Sequence, residues 1–239
     1  MDKKENLHAG HRKRKKEQFR QYGLDPLADH EALELLLYYA IPRADTNPAA
    51  HGLLRRFGSL SDVFKASVQE LQEVPGVGEN AALLVRLVSE LSRRSQLESY
   101  KPGMAIRNSH EAGELFKRYF WNESREVVVE LCLDGKCKLL ALHRLAEGGT
   151  SGAALSARDA ARRALNANAM FVYLAHNHPS GVAAPSQEDW AVTYAIQRSL
   201  SAVDIQLLDH IIVADNDYVS MAASDRNFHD EAYRKREET

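Results

Sequence analysis

Cysteine is nearly missing. Two thiols, Cys132 and Cys137, among 239 residues exclude a disulfide framework and a cysteine-rich zinc module. Long hydrophobic runs are missing too: the longest, Leu35 to Ile41 and Ala169 to Ala175, are seven residues each. A membrane-spanning helix needs roughly twenty, so no membrane partner is expected. The net charge of −2 exerts no global pull on nucleic acid. The opening Met1-Asp-Lys-Lys-Glu5 has no apolar stretch behind it, so a secretory signal is not expected and the chain is placed in the cytoplasm. Hydrophobic residues at 44% and charged residues at 27% match soluble globular chains, and the length suits two small domains.

What is present is unevenly spread. Residues 1–22 hold eight Lys or Arg, Arg12, Lys13 and Arg14 among them, against Asp2, Glu5 and Glu17, an arm of charge +5. The other 217 residues therefore carry −7. Such an arm can hold a polyanion, or it can be a solvated terminus.

The two cysteines flank Leu133-Asp134-Gly135-Lys136. If Asp134-Gly135 is a two-residue hairpin turn, 133 pairs with 136 and the thiols of 132 and 137 face each other, able to bridge under oxidation. In a reducing compartment the expectation is two free thiols.

The N-terminal stretch reads as helical. A buried helix is expected over 29–40, another from Pro48 to Phe57 ending at Gly58, and two short helices capped by Ser61 and Ser67, the second through the capping box Ser67-Val-Gln-Glu70. Pro75-Gly76-Val77-Gly78 then joins two helical segments and leaves amide N–H groups at a helix N-terminus, where a phosphate can sit. The stretch resembles the helix-hairpin-helix motif, which grips DNA backbones through residues such as Gly76 and Gly78. Glu79-Asn80 stands where that motif often places a cation, so only weak, non-specific DNA binding is expected. The alternative is a hairpin used only to pack helices.

Periodicity lapses over 95–108, which contains Pro102-Gly103, and the domain boundary is placed there: residues 1–98, then 104–226. Beyond it, helices at 111–121, 156–168 and 187–200 alternate with strands at 127–133, 137–145, 169–176, 207–214 and 218–221. The second half is therefore an α/β or α+β layer fold behind a small all-α domain.

The chemistry concentrates in Ala175-His176-Asn177-His178-Pro179-Ser180-Gly181. Residues two apart on a strand share a face, so His176 and His178 offer two imidazoles from one sheet edge. Asp189, in the first turn of the next helix, can fold back as a third ligand. Three protein ligands leave a fourth position for water, the mark of a catalytic zinc site. Ser186-Gln-Glu-Asp189 is also a capping box, which accounts for Ser186 and Asp189 with no metal.

His176-x-His178, then Ser186 and Asp189, reproduces the JAMM metalloprotease signature. The wider string, with Leu208-Asp-His-Ile-Ile-Val213, Tyr218-Val-Ser220, Gly10-His-Arg12, Ala40-Ile-Pro-Arg43 through Pro48, and Arg56-Phe-Gly-Ser-Leu60, resembles the bacterial RadC family over nearly the whole chain. The resemblance implies a JAMM/MPN-type domain with a cytidine-deaminase-like layered sheet and a Zn2+ ion on His176, His178 and Asp189. It also implies a zinc-dependent peptidase or isopeptidase acting on a protein or peptide of unknown identity. In such enzymes a glutamate before a strand accepts the proton of the attacking water; Glu126 matches by position, with Glu130 and Glu147 as alternatives. Ser186 is the implied oxyanion donor. Asp209 or His210 is either support for the site or purely structural. Where RadC sequences commonly carry Gly-Thr-x-Asn and a Pro-Arg-Glu stretch, this chain has Gly149 to Asp159, which puts substrate preference in question. The competing classes are a DNA-repair nuclease and a non-catalytic DNA-binding adaptor.

Overall fold

A computed structural model describes residues 3–98, 100–148, 156–225 and 228. The chain divides into two compact units, Met1–Ser92 and Arg93–Thr239. Among the described residues no helix is long and apolar enough to cross a membrane. Of the stretch Gly149 to Asp159 that departs from the RadC pattern, residues 149–155 lie outside the described residues and the rest opens the helix that Ser156 caps.

The first unit is built from α1 (Lys3–Tyr22), α2 (Asp29–Leu37), α3 (Asn47–Phe57), α4 (Leu60–Lys65), α5 (Val68–Gln72) and the start of α6 (Glu79–Leu97). Leu33, Leu37, Leu53, Val63, Leu71, Val77, Ala82 and Val85 close its core. Gly58, at φ 89°, ends α3 in the left-handed region, and the extended residue that follows it caps α4. That residue is Ser59, whose Oγ accepts from Asp62 N at 3.1 Å, so the cap is not Ser61. Ser67 caps α5 with the reciprocal Glu70 contact of a capping box. Helix α2 stops at Leu37, short of Ala40, as Tyr39 and Ala40 turn back onto Leu36 and Leu37 carbonyls.

The basic arm is neither wholly free nor wholly solvated. Arg12 donates to the carbonyls of Ile41, Pro42 and Ala44 and lies over the Tyr38 ring. Lys15 is buried against Glu31. Lys13 and Arg14 are exposed. Gly76, at φ 88°, makes the turn between α5 and α6, and Gly78 has open space where a Cβ would stand.

The second unit places α7 (Ser109–Tyr119), α8 (Ala157–Asn166), α9 (Gln187–Ser201) and α10 (Met221–Ser224) around a five-stranded mixed sheet. Its strands are β1 (Val127–Leu133), β2 (Leu139–Glu147), β3 (Phe171–Asn177), β4 (Gln206–Ala214) and β5 (Asp217–Ser220), in the order β2-β1-β3-β4-β5. Only β3 and β4 run parallel, joined by the crossover helix α9. Every residue of β1 is buried, as a central strand covered on both faces requires. Val127, Val129, Leu131 and Leu133 pack with Ala112, Leu115 and Phe116 of α7. Val128 and Cys132 face Ala160, Ala164, Ile196 and Leu200 of α8 and α9. The unit is thus a three-layer mixed α/β fold, within the α/β or α+β expectation drawn from the alternation of elements.

The cysteine pairing is a correction. Cys132 lies opposite Ala141 and points into the α8/α9 side of the core, whereas Cys137 packs with the α7 side. Both are free. The turn is wider than two residues: Asp134 Oδ1 accepts from Lys136 N and Lys138 N, and Asp134 N donates to Lys138 O. The left-handed residue in it is Cys137, at φ 57°. A turn of that kind swings the second thiol to the opposite face and starts β2 at Leu139, later than the expected 137.

Candidate metal centre

The centre forms where β3 ends. Strand alternation turns His176 and His178 to one side, and Asn177 between them turns to the other. Pro179 and Gly181, the latter at φ 81°, end the strand and lead into α9. Ser186 caps that helix: its Oγ accepts from Asp189 N at 3.1 Å and donates to Asp189 Oδ2 at 2.7 Å, while Ser186 N donates to the same oxygen at 2.8 Å. The capping box is therefore present, and it holds the Asp189 carboxylate over the strand end. His176 Nε2 lies 2.9 Å from His178 Nε2 and 3.2 Å from Asp189 Oδ1, and His178 Nε2 lies 3.7 Å from Asp189 Oδ2.

Hydrogen-bond direction decides what these three groups present to one another. The Val182 carbonyl can only accept, so His178 Nδ1, 2.8 Å away, carries the hydrogen and Nε2 of the neutral ring carries a lone pair. Thr193 Oγ1 donates to the Asp189 carbonyl at 2.5 Å, and with its hydrogen so used accepts from His210 Nδ1 at 2.5 Å. His210 Nε2 must then accept from His176 Nδ1 at 2.7 Å, which leaves His176 Nε2 bare. Burial holds the imidazolium forms of His176 and His210 below the ordinary histidine range, so both rings are neutral. Two bare ring nitrogens and a carboxylate thus converge within 3.7 Å, and a cation is what completes such a set. The donor chemistry, two imidazoles and one carboxylate, suits zinc.

Of the three glutamates, the structure brings one to this place. A carboxylate oxygen of Glu126 and ring nitrogens of His176 and His178 all lie within 4.8 Å of one another. Glu126 sits immediately before β1, and Asn177 clamps the backbone on either side of it, accepting from Val127 N at 2.8 Å and donating to Arg125 O at 2.9 Å. Glu147 is exposed and paired with Arg125 and Arg144. Glu130 is fully buried two rows into the sheet, opposite His143, and burial pushes its carboxyl up to about 8.

Asp209 and His210 part company. His210 orients His176, whereas Asp209 accepts from Ser220 Oγ at 2.5 Å and Ala222 N at 2.9 Å and so pins β5 and α10 to β4. Thr193, Val182 and Asn177 were not foreseen from sequence. Only Asn177 had a local signal there, its place between the two histidines.

Residues 106–227 match the family profile described as the RadC-like JAB domain. The chain is 33% identical over 227 residues to a UPF0758 protein of Fusobacterium nucleatum, spanning 92% of this chain and 97% of that protein. It is 37% identical over 212 residues to a UPF0758 protein of Bordetella parapertussis, spanning 87% of this chain and 92% of that one. Domains of the JAB type are generally metal-dependent hydrolases. On a match of this extent, the chain belongs to the RadC-like JAB-domain family.

Proposed function

We propose that this protein is a zinc-dependent amide hydrolase, a metallopeptidase or isopeptidase whose metal is held by His176, His178 and Asp189. The observation that carries the reading is the proton order around the cluster, which fixes both Nε2 atoms as acceptors facing a carboxylate. A zinc ion bound there supplies Lewis-acid chemistry, acidifying water and polarising a carbonyl. The protein's own groups do the rest. Glu126 takes the proton of the attacking water and delivers it to the leaving amine, held in place by the Asn177 clamp. Ser186 holds Asp189 through the cap, and its hydroxyl is the donor we assign to the oxyanion, a role for which it must leave Asp189 Oδ2. A single carboxylate and two histidines beside one lone base suit amide hydrolysis better than a two-metal phosphodiester cut.

The test is a panel of fluorogenic peptides and isopeptides, assayed with chelator and with zinc restored. Cleavage that disappears on chelation, returns with zinc and is abolished in His178→Ala together with the metal bound at the strand end is the expected result. If no acyl substrate is cut while DNA is cut in a zinc-dependent way, the nuclease reading replaces this one.

We assign residues 1–98 to a helix-hairpin-helix domain and 104–226 to the hydrolase domain. The first binds duplex DNA weakly, through Lys13, Arg14 and the amides of the Gly76–Gly78 turn, because Arg12 is already engaged with backbone carbonyls. Affinity should fall steeply with salt, and removing residues 1–22 should abolish most of it. Tight binding that survives the deletion at physiological salt contradicts that assignment.

A further inference from the structure

One sheet row deeper lies a second group of metal-capable side chains. Glu130 and His143 are direct cross-strand partners of β1 and β2, and Cys132 is the next residue of β1 on the same face. A carboxylate oxygen, a thiol sulfur and a ring nitrogen from these three lie within 4.8 Å of one another. Glu130 and Cys132 are fully buried. Both carboxylate oxygens of Glu130 and Nε2 of His143 are buried with no hydrogen-bond partner among the described residues. A fully buried carboxylate with no hydrogen-bond partner among the described residues is costly, and the sheet tolerates it in the middle of its most buried strand.

We propose that Glu130, Cys132 and His143 form a second divalent-metal site, one that takes zinc. Carboxylate, thiolate and imidazole are each established zinc ligands, and a single thiolate tilts the set away from calcium and magnesium, which want oxygen alone. Charge also balances: Zn2+ on one carboxylate and one thiolate is neutral, the form a buried cluster bears most easily. The Arg163 guanidinium, whose Nε is buried without a hydrogen-bond partner among the described residues, repels a bare dication but not a neutralised one. The ion has a way in. His143 and Arg163 line a surface cleft of about 480 Å3, together with Leu140, Ala141 and Arg162. This site is separate from the first: His176 lies opposite Val128, whereas Glu130 lies opposite Leu174 on β3, so the two groups occupy different rows of the face.

The sulfur provides a readout that the first cluster cannot give, because His176, His178 and Asp189 include no thiol. Full-length protein stripped with chelator and reconstituted with Co2+ should show a near-ultraviolet thiolate-to-cobalt charge-transfer band. The band should persist in His178→Ala and in Cys137→Ser, and vanish in Cys132→Ser. Zinc-loaded wild type should retain two ions per chain, and His178→Ala and Cys132→Ser one each. Failure at the first site alone shows as a band with a single zinc that survives His178→Ala. Wild-type protein with no thiolate band under excess cobalt overturns the second site, without any variant having to fold. A band that follows Cys137 in place of Cys132 overturns it as well.

Discussion

Two rows of one sheet face carry groups that can hold a metal, and they differ in how their hydrogens are fixed. At the strand end, two backbone carbonyls, those of Val182 and Asp189, set the direction of every hydrogen bond back to the ring nitrogens. His176 and His178 are therefore bare at Nε2 before any ion arrives. One row deeper, Glu130, Cys132 and His143 have no such anchors among the described residues, and burial holds the Glu130 carboxyl and the Cys132 thiol in their protonated forms, at about 8 and about 12. The first group is organised in advance by its neighbours. The second is organised only by the strand register that brings its three side chains together. What a fold prepares is thus not the presence of ligand atoms alone but the placement of hydrogens on them.

The sharpest contrast lies between base and ligand at the strand end. Glu126→Gln should keep zinc and fold while lowering turnover by about 10²–10⁴-fold, since glutamine preserves shape but accepts no proton. Asp189→Asn should lose the strand-end metal as well, because it removes the charged member of the set. Turnover on a model isopeptide and zinc content measured side by side separate the two roles. Should Glu126→Gln stay active and Glu147→Gln be dead, the base is Glu147, despite its pairing with Arg125 and Arg144.

The deeper row has its own signature in metal-free protein. The Glu130 carboxyl is raised from 4.5 to about 8 by burial, with Arg163 opposing. Below pH 4.5 the group is protonated folded and unfolded alike, and its burial carries no ionic penalty. As pH rises the unfolded chain ionises while the folded one keeps its proton, so stability falls until about 8 and then levels. The decline should be of order a few kcal/mol, read as a falling thermal midpoint in chelated protein. Glu130→Gln should flatten that slope and leave the midpoint at low pH nearly unchanged. A wild-type slope identical to that of the variant means Glu130 finds a partner in solution.

Much of the strand-end site was readable in the sequence because its spacing is local. His176 and His178 sit two apart on one strand, and Ser186 and Asp189 sit three apart in one cap. The alternating elements also gave the layered α/β unit. What resisted reading needs neighbours that sequence distance hides. The Asn177 clamp on the backbone around Glu126 requires β1 and β3 to be adjacent, and the Thr193–His210–His176 relay crosses from α9 through β4 to β3. The second cluster was hidden by a register error. A two-residue turn at Asp134-Gly135 sets Glu130 opposite Leu139, whereas the wider turn, which pairs Leu133 with Leu139, and a bulge between Cys132 and Leu133 together set it opposite His143. Asp-Gly alone specifies neither the width of that turn nor the bulge beside it, and a one-residue slip between them would turn His143 to the other face of the sheet.

The smallest expected effect tests the hydrogen order itself. His210 is not one of the three converging groups; its work is to accept the His176 Nδ1 hydrogen at 2.7 Å and so keep Nε2 bare. His210→Ala removes that acceptor, leaves the ring of His176 free to choose its tautomer, and opens a buried void beside it. Zinc affinity at the strand end should weaken by about 10–100-fold, while zinc-saturated protein keeps most of its turnover. His210→Gln, whose amide oxygen can accept in place of the ring nitrogen, should recover part of the lost affinity. A merely structural role predicts something else: both variants lose stability, and zinc affinity per folded molecule stays constant. The thiolate-to-cobalt band of the deeper row should be unchanged in either variant, because nothing there depends on His210. Loss of that band along with the strand-end affinity means the two rows titrate metal as one unit and are not the separate sites their registers imply.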